Sequence, residues 1–413
     1  MLKHSLVALA GLALVAMVPA GAQAAVGAGR TPDTGRSLTP ATLYVYSQGT
    51  GFVRPVRVAT RRVLPAIRVG HNPNATANPG PYLVVTPNDR TVYVLNPGMD
   101  TLTAISAATN KVEATIDFGL GANLVSVVMA PNGRTVYVLG YQSPSGVGFV
   151  IPVTTRTNRA RKRIAIGGIA WSMTFSASGG TGYVLVVPGP ASRGFVARLD
   201  TTTDRFVGAP ITVGYQPVAM AMAPGGHMLY VVNSRGPRTG IGSVTPIRTA
   251  TNKASRPIRV GWTPGPIVIT PDGRTIYVVD RGGVGSHASS QGAVTPITAG
   301  TGRAGRPIMV GTMPDAVTIT PNGRTVYVLN QYGSRLYRGT VTPITVAGNR
   351  AGRKIPVGIS AVAMVLAPGG GTLLVANSGS GTVTPITVAT GRAGRPIRTG
   401  RAFSVPSALA ITR

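Results

Sequence analysis

The 413-residue chain contains no cysteine. Disulfide cross-links and thiolate chemistry are excluded, as is a lipid anchor on a cysteine at the processing site. Acid is nearly as scarce. Ten Asp and Glu stand against forty Lys and Arg, giving a formal net charge of +30. Glu113 is the lone glutamate, and the aspartates are Asp33, Asp89, Asp100, Asp117, Asp200, Asp204, Asp272, Asp280 and Asp315. Histidine occurs at His71, His227 and His287 beyond the amino-terminal His4. No two carboxylates stand at an acid/base spacing, and neither an HExxH motif nor a glycine-rich phosphate loop is present. The reading is therefore of a chain with no catalytic residues, no metal and no cofactor.

Long apolar runs are also missing after the amino terminus. Lys3 and His4 precede the apolar residues 6–18, and Ala22-Gln23-Ala24 has the small side chains of a cleavage site. This is the pattern of a signal peptide over residues 1–24, too short for a membrane span. Residues 25–40 read as a flexible lead-in rich in Gly, Ala, Thr and Pro. The mature chain, at +29, is expected to be secreted or extracellular, with cell-surface association as a further outcome, and to hold a single domain over residues 41–413.

What the chain has in abundance is repetition. Residues 320–330, Thr-Pro-Asn-Gly-Arg-Thr-Val-Tyr-Val-Leu-Asn, have near copies at 270–280, 130–140 and 86–96. A second phrase, clearest at 381–400, reads Gly-Thr-Val-Thr-Pro-Ile-Thr, an arginine-rich turn, then Arg-Pro-Ile-Arg. The tyrosine of the first phrase recurs at Tyr44, Tyr93, Tyr137, Tyr183, Tyr230, Tyr277 and Tyr327, with Leu374 as the eighth member. The steps between them run from 44 to 50 residues. Four short apolar runs per unit at this period are the signature of a propeller blade.

In the Tyr327 unit the expected strands are 316–320, 325–330, 340–345 and 354–357, with Asn322-Gly323 making the first turn. The chain starts on a second strand at 42–47 and stops on a first strand at 408–412. The expected fold is an all-β propeller of four-stranded antiparallel blades. Eight blades are closed by the terminal strands, which removes two free sheet edges. Seven is the alternative if one degenerate unit is a spacer, and the weakest copy is 177–183. First strands carry large apolar groups on one face (Met173 and Phe175, Met220 and Met222, Ile267 and Ile269, Val317 and Ile319). Small ones lie on the other: Ser172, Ala219, Ala316, Ala363 and Ala408. Bulky faces should lie on small ones between neighbouring blades.

The repeat also places the positive charge. Third-to-fourth turns are expected to carry Arg159, Arg161, Lys162, Arg163, Arg303, Arg306, Arg350, Arg353, Lys354, Arg392, Arg395 and Arg398. First-to-second turns add Arg90, Arg134, Arg274 and Arg324, on the same face. A polyanion could follow such a belt, releasing counterions as it binds. The plainer alternative is a solvated surface that aids solubility. The opposite, channel-mouth face is the second candidate site. Fourth-to-first turns place His71, Tyr215, Trp262 and Phe403 there, long second-to-third turns add His287, and Trp171 and Asp315 share the first position of an inner strand. These could stack on a planar ligand, or could plug the mouth, with Asp315 held by a nearby arginine.

The phrases Pro-Asn-Gly-Arg-Thr-Val-Tyr-Val and Val-Thr-Pro-Ile-Thr resemble the YVTN, or YncE-like, β-propeller repeat family over about residues 41–412. The resemblance implies an exported propeller and no common reaction. Many such relatives have seven blades, from which an eight-unit count departs. Three functions follow as expectations. The first is a non-enzymatic protein that binds an anionic polymer or cell-surface component: wall phosphopolymer, acidic polysaccharide or nucleic acid. The second is a structural protein that self-associates through blade faces. The third is a lactonase- or lyase-like enzyme with its site at the mouth.

Overall fold

The computed structural model describes residues 41–47, 49–70, 82–189, 192–236, 240–282, 291–333, 337–400 and 406–413. Residues 1–24 and 25–40, read above as a signal peptide and lead-in, lie outside the described residues. So do His71, His287 and Phe403.

The described chain is all-β, built from antiparallel sheets with no α-helix. Each repeat phrase forms the expected strand. In the Tyr137 unit Ala122–Met129, Thr135–Gln142 and Val147–Thr154 pair in order, and the outermost strand follows. The turn between first and second strands is set by its Asn or Asp. The side-chain oxygens of Asn88, Asn132, Asp272 and Asn322 accept from the backbone N–H of Arg90, Arg134, Arg274 and Arg324 at 2.9–3.2 Å. At the chain ends Pro406–Ile411 pairs antiparallel with Thr42–Ser47.

The outer strand departs from expectation. In the Tyr327 unit it is two pieces, Arg350–Ala351 and Ile355–Ile359, both paired with Arg338–Thr345. In six units a third-strand proline accompanies the break. Tyr44, Tyr137, Tyr230, Tyr277, Tyr327 and Leu374 stand opposite Pro55, Pro152, Pro246, Pro296, Pro343 and Pro385. A strand residue directs its N–H and C=O to the same side, so the donor that proline lacks would face the outer strand. The outer strand parts there, and one N–H still reaches each proline carbonyl, as Gly352 does to Pro343 at 2.7 Å. Where Ala104 replaces proline, the outer strand Val112–Asp117 is unbroken, but where Arg198 does, the outer strand is still split into Arg205–Phe206 and the strand from Ile211, so the break does not depend on proline alone. Arg159, Arg303, Arg350 and Arg392 therefore lie in the first outer piece and Arg398 in the second, not in a turn. Arg161, Lys162, Arg163, Arg306, Arg353, Lys354 and Arg395 occupy the gap or its edge.

In two units the fourth-to-first connection is continuous strand and not a turn. Ile211–Met222 and Ile308–Ile319 each run from an outer strand into the next inner strand. Among the described residues, six of these connections bend at a positive-φ residue: Gly121, Gly168, Gln216, Thr263, Met313 and Ser360. Four of these are not glycine, and Thr263, at φ 44°, is β-branched. Such residues resist the left-handed region. Thr263→Gly is expected to raise stability by about 1 kcal/mol, read by chemical denaturation. Unchanged or lower stability would mean that the bend is unstrained.

The core lies in the seams between sheets. Met364 shares a cluster with Ala316 and Tyr327, Ile267 and Ile269 with Ala219 and Tyr230, and Met173 and Phe175 with Tyr137. Bulky first-strand faces thus meet the small faces of the preceding unit. The repeat tyrosines also cross these seams. The hydroxyls of Tyr44, Tyr93 and Tyr277 donate to the side-chain oxygens of Asn110, Asn158 and Asn349 at 2.9, 2.6 and 2.6 Å. Tyr137 bonds Asp204 in the same way. Each acceptor sits in the next unit's third-to-outer turn at φ between 48° and 56°, a conformation Asn and Asp tolerate well.

Candidate functional site

Two regions correspond to the sequence candidates. The first is the face that carries the first-to-second turns. It also carries the third-to-outer turns, because the residue after the third strand donates to the turn carbonyl: Ala107 to Arg90, Thr155 to Arg134, Ala299 to Arg274, Val346 to Arg324. Arg90, Arg134, Arg274 and Arg324 are exposed there. The repeat does not carry them round uniformly. Gly180, His227 and Gly371 hold the equivalent positions, so the turn arginines form two pairs.

Arg159, Lys162, Arg303, Arg306, Arg350, Arg353, Lys354, Arg392, Arg395 and Arg398 are exposed along the outer strands. Two other members of the belt are tied into the protein. Arg161 forms an ion pair with Asp204 at 3.0 Å. Arg163 donates to Gln142 Oε1 at 2.5 Å and to the Phe118 carbonyl at 3.1 Å, and its guanidinium lies 4.3 Å over the Phe149 ring. Both fasten neighbouring strands and are less available to a ligand than their exposure implies.

An open depression of about 690 Å³ lies on this face between the Tyr93 and Tyr137 units. Its walls include Pro87, Asn88, Arg90, Asn132, Arg134 and Arg156. Gly133 sits over the Pro87 ring, where a Cβ would come within 2.9 Å of it, so consecutive turns stack closely. Arg156 was absent from the sequence candidates, although its repeat position gives it away.

The second region is the mouth end. Trp171 is only partly buried, packs against a seam cluster, and donates its indole N–H to the Val218 carbonyl at 3.1 Å. It is not the first residue of its strand: the strand is Ile169–Phe175, and the pairing shifts register at Trp171. Asp315 occupies the equivalent irregularity in Ile308–Ile319. Val125, Val218 and Val362 do so in other units. Asp315 is 5% exposed and forms an ion pair with Arg281. Burial raises its pKa, and the Arg281 charge works against that rise. Trp262 ends the strand Ile258–Trp262 against Gly240, where a Cβ would meet its ring at 2.4 Å. Tyr215 lies within a strand, opposite Arg193 and Arg235. Trp171 and Asp315 are thus built into the framework.

One buried acid was not singled out by sequence reasoning. Asn233, Asn330 and Asn377 each accept from the N–H of Gly214, Gly311 or Gly358 at 2.9 Å and donate to Thr245, Thr342 or Thr384 at 3.0 Å. The glycine is needed, since a Cβ at Gly214 would lie 2.5 Å from Asn233. Asp280 holds this place in its unit. It is fully buried, accepts from Gly261 N–H at 3.0 Å, and meets the Thr295 hydroxyl at 2.5 Å. Burial pushes its pKa up to about 7, with the two hydrogen bonds opposing. The signal was readable three residues after each repeat tyrosine.

No family model matches the chain, and no curated protein does. Solved structures do resemble it. Dihydro-heme d1 dehydrogenase NirN aligns over 94% of this chain and 78% of its own, at TM-score 0.70 and 13% identity. Kuenenia stuttgartiensis hydrazine synthase aligns over 78% of this chain and 99% of its own, at 0.60 and 19%. A putative 6-phosphogluconolactonase from Bacteroides fragilis aligns over 79% and 97%, at 0.55 and 15%. At such identities the likeness concerns the fold alone, which is propeller-like and all-β.

Proposed function

We propose that the protein is an exported, YVTN-like propeller of eight blades in a closed ring, and that its turn-bearing face binds anionic polymers. Support for the ring comes from the inner strands. Pro406–Ile411 lies beside Leu83–Val85, which lies beside Ala122–Met129. Ile169–Phe175, Ile211–Met222, Pro264–Ile269, Ile308–Ile319 and Ala361–Leu366 continue the order, and the last lies beside Pro406–Ile411 again. Support for export is the leader-like sequence of residues 1–24.

The observation that carries the binding function is the turn face itself. It gathers exposed arginines from separate units, while the whole chain has only ten acids to oppose forty bases. Unneutralised like charge works against the compact state, and an anionic polymer relieves it by counterion release. Catalysis at the mouth has weaker support, because Arg281 already engages Asp315.

The test compares Arg274→Ala/Arg324→Ala with Arg235→Ala/Arg338→Ala on an immobilised polyphosphate column. The second pair removes equal charge from the opposite strand ends. Earlier elution of the first variant alone is expected. Equal shifts in both would reduce the effect to net charge and sink the face assignment.

A further inference from the structure

We propose that the depression between the Tyr93 and Tyr137 units is a discrete site for phosphoryl groups, with Arg90, Arg134 and Arg156 as its ligating residues. The inference rests on the anionic-polymer reading and narrows it to one place and one chemistry.

Arg156 is the first argument. Its position is fixed by the preceding residue, whose N–H bonds the turn carbonyl in every comparable unit. The residues that follow that donor are Ala59, Ala108, Arg156, Thr202, Ala250, Gly300, Ala347 and Ala389. Seven are small, and the one arginine falls where the depression is. A departure from a repeat that costs the fold nothing locally is where binding is added to a scaffold.

The donor inventory is the second. The side-chain oxygens of Asn88 and Asn132 accept from the turn N–H groups at 3.2 and 2.9 Å, which leaves their amide NH2 groups as donors. The hydroxyls of Thr86 and Thr155 donate inward, to Thr91 and Gly133 carbonyls at 3.2 and 2.8 Å. No carboxylate lines the depression. Three guanidinium groups and two amides therefore present donors alone, and no side-chain bond among the described residues engages the three guanidiniums.

The third is size and charge. Like charges gathered without a counter-charge repel, so the cluster is stabilised by a bound anion. A phosphoryl group presents three oxygens and up to two charges, enough for more than one guanidinium fork. A carboxylate fills one. A depression of about 690 Å³ exceeds one phosphate and accommodates consecutive phosphoryl groups of a chain.

The test is calorimetric titration of the mature protein with tripolyphosphate, inorganic phosphate and citrate. Arg156→Ala is exposed and leaves the fold intact, as thermal unfolding would verify, and Arg205→Ala is the equal-charge control. Tripolyphosphate should bind more tightly than phosphate or citrate, and Arg156→Ala should weaken it about tenfold or more, while Arg205→Ala stays within about twofold. Equal weakening by both variants, preference for citrate, or no binding by the native protein would overturn the site. The polyphosphate column decides the wider reading separately. Retention there with no tripolyphosphate binding removes this site and keeps the face. Tripolyphosphate binding with no retention does the reverse.

Discussion

Asp280→Asn is expected to stabilise the protein by up to about 4 kcal/mol at pH 8 and to change little at pH 4. Asn233, Asn330 and Asn377 show that an uncharged side chain serves this position, accepting from a glycine N–H and donating to a threonine hydroxyl. At Asp280 the second bond runs the other way, with the Thr295 hydroxyl donating to Oδ2. Its pKa in the folded chain is about 7, above the ordinary carboxylate value, because it is wholly buried. The folded state therefore holds a proton that the unfolded chain releases near pH 4. The contribution of Asp280 to stability is full below that value and is lost as pH rises to about 7. Asparagine cannot ionise, so the gap between variant and native protein should open across that window. Denaturant unfolding at pH 4, 6 and 8 measures it. A difference independent of pH would show that Asp280 does not titrate there.

Alkali should unfold the protein through its repeat tyrosines. Burial pushes the hydroxyls of Tyr44, Tyr46, Tyr93, Tyr137 and Tyr277 up to about 12. In the unfolded chain they ionise near pH 10. Between those values the folded state binds more protons, so stability falls as pH rises. Five such groups withdraw on the order of 10 kcal/mol by pH 12, comparable with the whole stability of a domain. Four of the five are also the hydroxyls that cross a seam to an Asn or Asp. Absorbance at the tyrosinate band and tryptophan fluorescence should change together in one cooperative step above pH 10. Ionisation of all the tyrosines, including these five, near pH 10 with the fold intact would contradict the burial argument.

Much of this was legible in the sequence because the repeat averages over eight copies. Thr42–Ser47 was readable to the residue, and its pairing with the last strand followed from counting first and second strands. The bulky and small faces were readable as alternation at Met173, Met220 and Ile267. The broken outer strand was less so, since proline's missing donor matters only once its partner strand is known. The positive-φ bends at Gln216, Thr263, Met313 and Ser360 were hidden, because their side chains share no chemistry. Asp280 and Arg156 were visible as departures from the repeat, but their roles were not. Both are single substitutions at repeat positions whose role appears only in three dimensions, as an amide network and as a wall of a depression.

The central claim is that the basic face binds an anionic polymer by neutralising its charge. Equilibrium binding of soluble polyphosphate across a salt series tests it most directly. Affinity should fall by about 10³-fold between about 50 and 200 mM salt, linearly in the logarithms. Affinity that is constant across the series, or no binding at the lowest salt, would contradict the claim.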